Sequence, residues 1–164
     1  MGTNHMGRQS IRFPQPPVVR GFASVAGKKE REGPLGDQFT ATVQDTTFGE
    51  KSWERAERRM QQMTLELALE KAGLTDADLD AAFAGDLLNQ CIGSSFSLRN
   101  RGVPTLGLYG ACSTMAESLL LAALSVSGGY ARTALAMTSS HFASSERQYR
   151  FPLGYGGQRT PTSQ

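Results

Sequence analysis

Cys112 stands in the run Leu-Tyr-Gly-Ala-Cys-Ser-Thr, residues 108–114, between an apolar stretch that suits a strand and one that suits a helix. A thiol at a helix N-terminus feels the positive end of the helix dipole, which favours the thiolate. Thiolate is the form that attacks carbonyls or carries an acyl group. The same unpaired N–H groups can instead hold a carboxylate ligand. A free cysteine is also an ordinary small packing residue, so spacing alone leaves both readings open. Asp86, in Ala-Gly-Asp-Leu-Leu-Asn-Gln, and His141, in Thr-Ser-Ser-His, each close an apolar run of strand length. Ligands of open parallel sheets bind at the carboxyl ends of the strands, so these three residues share one expected edge. An acid there binds a cation or accepts a proton; equally, Asp86 or Asn89 caps the helix that follows. A lone histidine is more often structural than catalytic. Glu117, the single charge in the apolar helix after Cys112, is expected to meet an arginine or a backbone group.

The elements that would position these residues alternate. Residues 52–72 read as a long helix, with Ala56, Met60, Met63 and Leu67 along one face and Gly73 as its stop. Thr75 opens an acidic turn over 76–80. Apolar runs at 81–88, 103–109 and 132–139 read as strands, separated by helices at 91–100 and 113–127. Strands alternating with helices predict an α/β fold with a mostly parallel sheet. Residues 7–49, rich in Pro and Gly, read as loop with one short strand near 18–25, and 28–32 as a solvated turn. The helix at 113–127 is apolar around nearly its whole circumference and must lie between two layers. The chain has sequence for only one sheet, so the second layer is expected from a further half or from another chain.

Composition excludes several classes. A net charge of +2, with no basic stripe interleaved with aromatics, does not suit nucleic acid. No stretch reaches the roughly 20 apolar residues of a membrane-spanning helix. Two cysteines make no disulfide framework and no secretory leader is visible, which suits a reducing, cytoplasmic compartment. Two cysteines and two histidines give no zinc spacing, and the glycines at 154–157 match neither a phosphate loop nor a dinucleotide fingerprint. The opening MGTNHM reads as a tag remnant over residues 1–6.

Seven stretches together carry a family resemblance: KKEREGPLG (28–36), KSWERAE (51–57), AGDLLNQ (84–90), YGACST (109–114), TSSH (138–141), SERQYRFP (145–152) and YGGQ (155–158). In this order the chain resembles the stage V sporulation protein AD family, of the thiolase-like superfamily. The resemblance implies two similar halves in five layers, αβαβα, with 7–164 forming the N-terminal half without its last strand. It implies binding of dipicolinic acid, or its calcium chelate, and help with its uptake into the developing spore. The implied ligand-binding residues are Asp86, Asn89, Cys112 and His141; calcium enters only within the chelate, with no resident cofactor and no metal site. It further implies a homodimer formed through the strand before Cys112 and work beside other stage V sporulation membrane proteins. The implied location is the cytoplasm of the sporulating cell or the forespore, peripheral to the spore inner membrane. Two alternatives remain: a thiolase or ketoacyl-synthase-like acyltransferase with Cys112 as nucleophile, and a structural dimerisation half-domain.

Overall fold

The computed structural model describes residues 4–150, with the side chains of 147–150 excepted. The YGGQ stretch, the glycines at 154–157 and the end of SERQYRFP lie outside the described residues.

Residues 4–50 hold little regular structure, as their prolines and glycines dictate. Strands β1 (His5–Met6) and β2 (Ser10–Ile11) pair antiparallel, and β1 falls within the six residues read as a tag remnant. The strand expected near 18–25 is confined to β3 (Val25–Ala26), parallel to β4 (Ala41–Thr42), with Ser24 O also accepting from Ala41 N–H; residues 12–24 lie in no strand. Between β3 and β4 the expected turn at 28–32 winds into one helical turn, α1 (Lys28–Arg31).

Helix α2 (Trp53–Ala72) begins where Ser52 accepts a hydrogen bond from Arg55 N–H and stops at Gly73, which takes the left-handed conformation (φ 65°). Its buried face differs from the one periodicity suggests. Ala56, Glu57, Met60, Gln61 and Leu65 are buried, while Met63 and Leu67 are half-buried. The face therefore carries two polar side chains four residues apart, which an apolar count passes over. Thr75 and Asp78 then close a capping box around the acidic turn.

The core is a three-stranded, wholly parallel sheet in the order β6-β5-β7, made of β5 (Ala81–Gly85), β6 (Thr105–Leu108) and β7 (Ala134–Thr138). Side chains alternate across β5, as the two-residue period of a strand requires. Ala82 and Ala84 face α2 and α3 (Ile92–Leu98), in a cluster with Leu65, Leu98, Val103 and Met137. Phe83 faces α4 (Thr114–Ser127), packing with Leu108 and Ala122. Helix α5 (Phe142–Arg150) follows β7.

Among the described residues only one side of α4 is covered. Thr114, Ser118 and Ala122 are buried against the sheet, whereas Met115, Leu119, Leu120 and Leu124 are each at least 40% exposed. Small residues against the sheet and leucines pointing away are the reverse of a surface helix. Among the described residues no second layer covers them. Among the described residues no helix is long and apolar enough to cross a membrane.

Candidate functional site

All three core strands run the same way, so their carboxyl ends converge on one edge, and Asp86, Cys112 and His141 follow those ends. The edge is tightly built. At Gly85, the last residue of β5, a Cβ would stand 2.2 Å from Leu108 O and 2.5 Å from Thr114 Cγ2. Only glycine lets β5, β6 and the start of α4 approach this closely.

Cys112 occupies a single 3₁₀ turn, Ala111–Ser113, that leads into α4. Ala111 is left-handed at φ 49°, an unfavourable conformation for a residue with a Cβ. Beside the backbone bond from Ser113 N–H to Gly110 O (3.0 Å), three side-chain hydrogen bonds hold the turn: Gly110 N–H to Thr114 Oγ1 (3.1 Å), Ser113 Oγ–H to Gly110 O (2.7 Å) and Thr114 Oγ1–H to Ala111 O (2.9 Å). Thus braced, the turn presents Cys112 as an exposed thiol, and no side chain caps the start of α4. Glu117 reaches back over the same turn; a Cβ at Gly110 would stand 2.5 Å from its Oε2.

Asp86 is buried and lies on the opposite side of the sheet, towards α2 and α3. Its Oδ1 accepts from Leu88 N–H at 2.9 Å, and its Oδ2 accepts both N–H and Oγ–H of Ser94 at 2.7 Å. Ser94 N–H is one of the orphan donors in the first turn of α3, so Asp86 caps that helix from a distance. The loop between them turns through left-handed Gln90 (φ 59°) and Cys91 (φ 50°), with Asn89 exposed on it. Cys91 is buried, with its thiol 3.1 Å from Leu108 O, and burial, aided by the Asp86 charge, pushes its pKa up. Cys91 is thus the packing cysteine and Cys112 the accessible one.

His141 sits in a small aromatic box, tilted against Trp53 with ring centroids 5.7 Å apart and edge-on to Phe48 at 6.2 Å. Its Nε2 lies 2.8 Å from Thr46 O, which can only accept, so Nε2 carries the proton. Nδ1 accepts from Ser144 N–H at 3.4 Å.

Between Asp86 and His141 runs a buried polar chain. Gln61 Nε2 donates to Ser94 Oγ (3.0 Å) and to Ser139 Oγ (2.7 Å), and Gln61 Oε1 accepts from Ser97 (2.7 Å). Ser139 donates to Glu57 Oε1 (2.7 Å), and Ser144 Oγ stands 2.5 Å from Glu57 Oε2. Burial is the main influence on Glu57 and raises its pKa; the serine hydrogen bonds oppose this, the Asp86 charge adds to it, and His141 lowers it. The structure thereby joins Asp86 and His141 through Gln61 and Glu57. Cys112 shares their edge but belongs to the α4 side and enters no bond of this chain. Among the described residues, no three or more His, Cys, Asp or Glu side chains gather as a metal site.

Glu57, Gln61, Ser94, Ser139 and Ser144 are the residues that sequence reasoning missed. The available signal was Glu57 and Gln61 at i and i+4, each beside a buried position of the α2 face.

Fold and edge together define an α/β protein whose parallel sheet carries an accessible thiol at the start of a half-covered apolar helix. The chain belongs to the stage V sporulation protein AD family, whose model matches residues 7–164. It is 43% identical over 157 residues to the stage V sporulation protein AD of Bacillus subtilis (strain 168), an alignment covering 96% of this chain and 46% of that relative. The chain thus spans about half the length of the curated relative it matches.

Proposed function

We propose that the chain is one half of a thiolase-like sporulation protein whose strand-end edge binds dipicolinic acid, or its calcium chelate, for uptake into the developing spore. The observation that carries this reading is the exposed Cys112 turn at the uncapped start of α4, within a member of this family. Dipicolinate is a dianion at neutral pH, and a helix start attracts carboxylates through its free N–H groups and its dipole. Cys112 lines that end of the pocket. Asp86, its oxygens engaged by Leu88 and Ser94, fixes the loop carrying Asn89 and lends negative charge to the side that meets the calcium of the chelate. His141 closes the pocket from the end of β7.

The uncovered leucines of α4 support a five-layer αβαβα assembly in which a second half packs on that helix. The exposed edge strand β6, just before Cys112, suits pairing with a second copy in a homodimer. In this reading the protein works beside other stage V sporulation membrane proteins, peripheral to the spore inner membrane.

The same exposed thiol favours one second reading, an acyltransferase with Cys112 as nucleophile. Mass spectrometry after exposure to an acyl-CoA separates the two. A binder leaves Cys112 unmodified and takes up dipicolinate in equilibrium dialysis; an acyltransferase gains one thioester at Cys112.

A further inference from the structure

Glu57 has none of its surface exposed, and Asp86 only 1%. The two are neighbours: a Cβ on Gly93 would lie 3.3 Å from Asp86 Cγ and 3.5 Å from Glu57 Cγ. Among the described residues, no lysine or arginine is a hydrogen-bond partner of either. The nearest cation in sequence, Arg58, turns to Glu50 at 3.3 Å. Among the described residues, helix α3 supplies Gly93, Ser94 and Ser97 to the cluster, and the β7–α5 turn brings His141 to face Glu57. Two buried carboxylates without a counter-cation cannot both ionise cheaply, so one of them keeps a proton.

The bonding partners say which. Asp86 accepts from two backbone N–H groups and a hydroxyl, an environment made for an anion. Glu57 has no backbone donor, only two serine hydroxyls. Ser139 takes a hydrogen bond from Gln61 and passes its own proton to Glu57 Oε1. Ser144 Oγ has one proton and two oxygens in reach, Glu57 Oε2 at 2.5 Å and His141 O at 2.9 Å. A proton on Glu57 Oε2 serves both contacts: Glu57 donates to Ser144, and Ser144 donates to His141 O.

We propose that Glu57 is held as a neutral carboxylic acid at neutral pH and, through Ser144, is the positioning residue for the His141 turn. The inference deepens the ligand-binding reading and rests on it for the purpose of that turn. A neutral Glu57 removes one of two negative charges from behind a pocket meant for a dianion, while keeping the geometry that places His141.

Infrared spectra of the chain against Glu57→Gln test the protonation state without any ligand. A carboxylic C=O stretch at pH 7 that disappears in Glu57→Gln is the expected result; its absence from the unsubstituted protein overturns the proposal. The chain has only two histidines, His5 and His141, so imidazole proton resonances report on positioning. Glu57→Gln, which keeps a donor towards Ser144, leaves the His141 resonance in place, and Glu57→Ala moves it. Equal shifts in both variants, or in neither, contradict the positioning role. Dialysis against dipicolinate separates this inference from the functional reading: an intact carboxylic band without dipicolinate binding sinks only the latter.

Discussion

The carboxylate of Asp86 and the first turn of α3 are joined at Ser94, whose N–H and hydroxyl both donate to Asp86 Oδ2 at 2.7 Å. This pairing makes Asp86, the residue just after β5, the cap of the next helix, so the loop between them has a fixed shape. Asp86→Ala strands buried donors at Leu88 and Ser94. The expected loss is on the order of 3 kcal/mol, read as a lower urea midpoint with unchanged slope.

The two cysteines differ in access and chemistry. Cys112 is exposed on its turn, while Cys91 is buried against Leu108 O with its pKa raised. A maleimide reagent under native conditions is expected to modify one thiol, and none in Cys112→Ser. The second thiol should react only once urea unfolds the chain.

Gly85 faces backbone at a distance no Cβ tolerates, 2.2 Å from Leu108 O. Gly85→Ala must push β6 from β5 and disturb Thr114 at the head of α4. Overpacking of this kind costs about 1–3 kcal/mol. Thermal unfolding should register that loss, and Cys112 labelling should change rate alongside it, because the same displacement moves the turn.

Glu57 makes stability depend on pH in a defined direction. Its pKa in the folded chain is raised from 4.5, chiefly by burial, so the folded state binds the proton more tightly than the unfolded state. Its contribution is full below the unfolded value and is lost as pH climbs from there through the folded value. Glu57→Gln does not titrate. The melting temperature of the variant relative to the unsubstituted protein is therefore expected to rise with pH across that window, and a flat difference would count against a buried acid.

Much of the scaffold was legible because it obeys local rules. The helix after Ser52 stops at Gly73 as its left-handed cap requires, and the strands at 81–85, 105–108 and 134–138 lie inside the apolar runs that announced them. Cys112 could be read because a small-residue turn between strand and helix is a local pattern. The polar chain could not. Glu57 and Gln61 look like surface residues of a charged helix, and their partners at Ser94, Ser139 and Ser144 are 33 to 87 residues away. The strand expected near 18–25 is two residues long, paired with a strand, β4, that is itself only two residues long. The apolar pattern at 113–127 predicts a helix buried all round; among the described residues one side of α4 is bare, because apolar periodicity reports a need for cover and not what supplies it.

The most direct test of the strand-end pocket is a calorimetric titration with dipicolinate, with and without calcium. It would be run on this chain alone and on the chain joined to the remaining half of the Bacillus subtilis relative. The account predicts saturable binding to the joined protein, weakened at least about tenfold, or 1.4 kcal/mol, by Cys112→Ala. No binding with or without calcium, together with a thioester at Cys112 after treatment with an acyl-CoA, would contradict it.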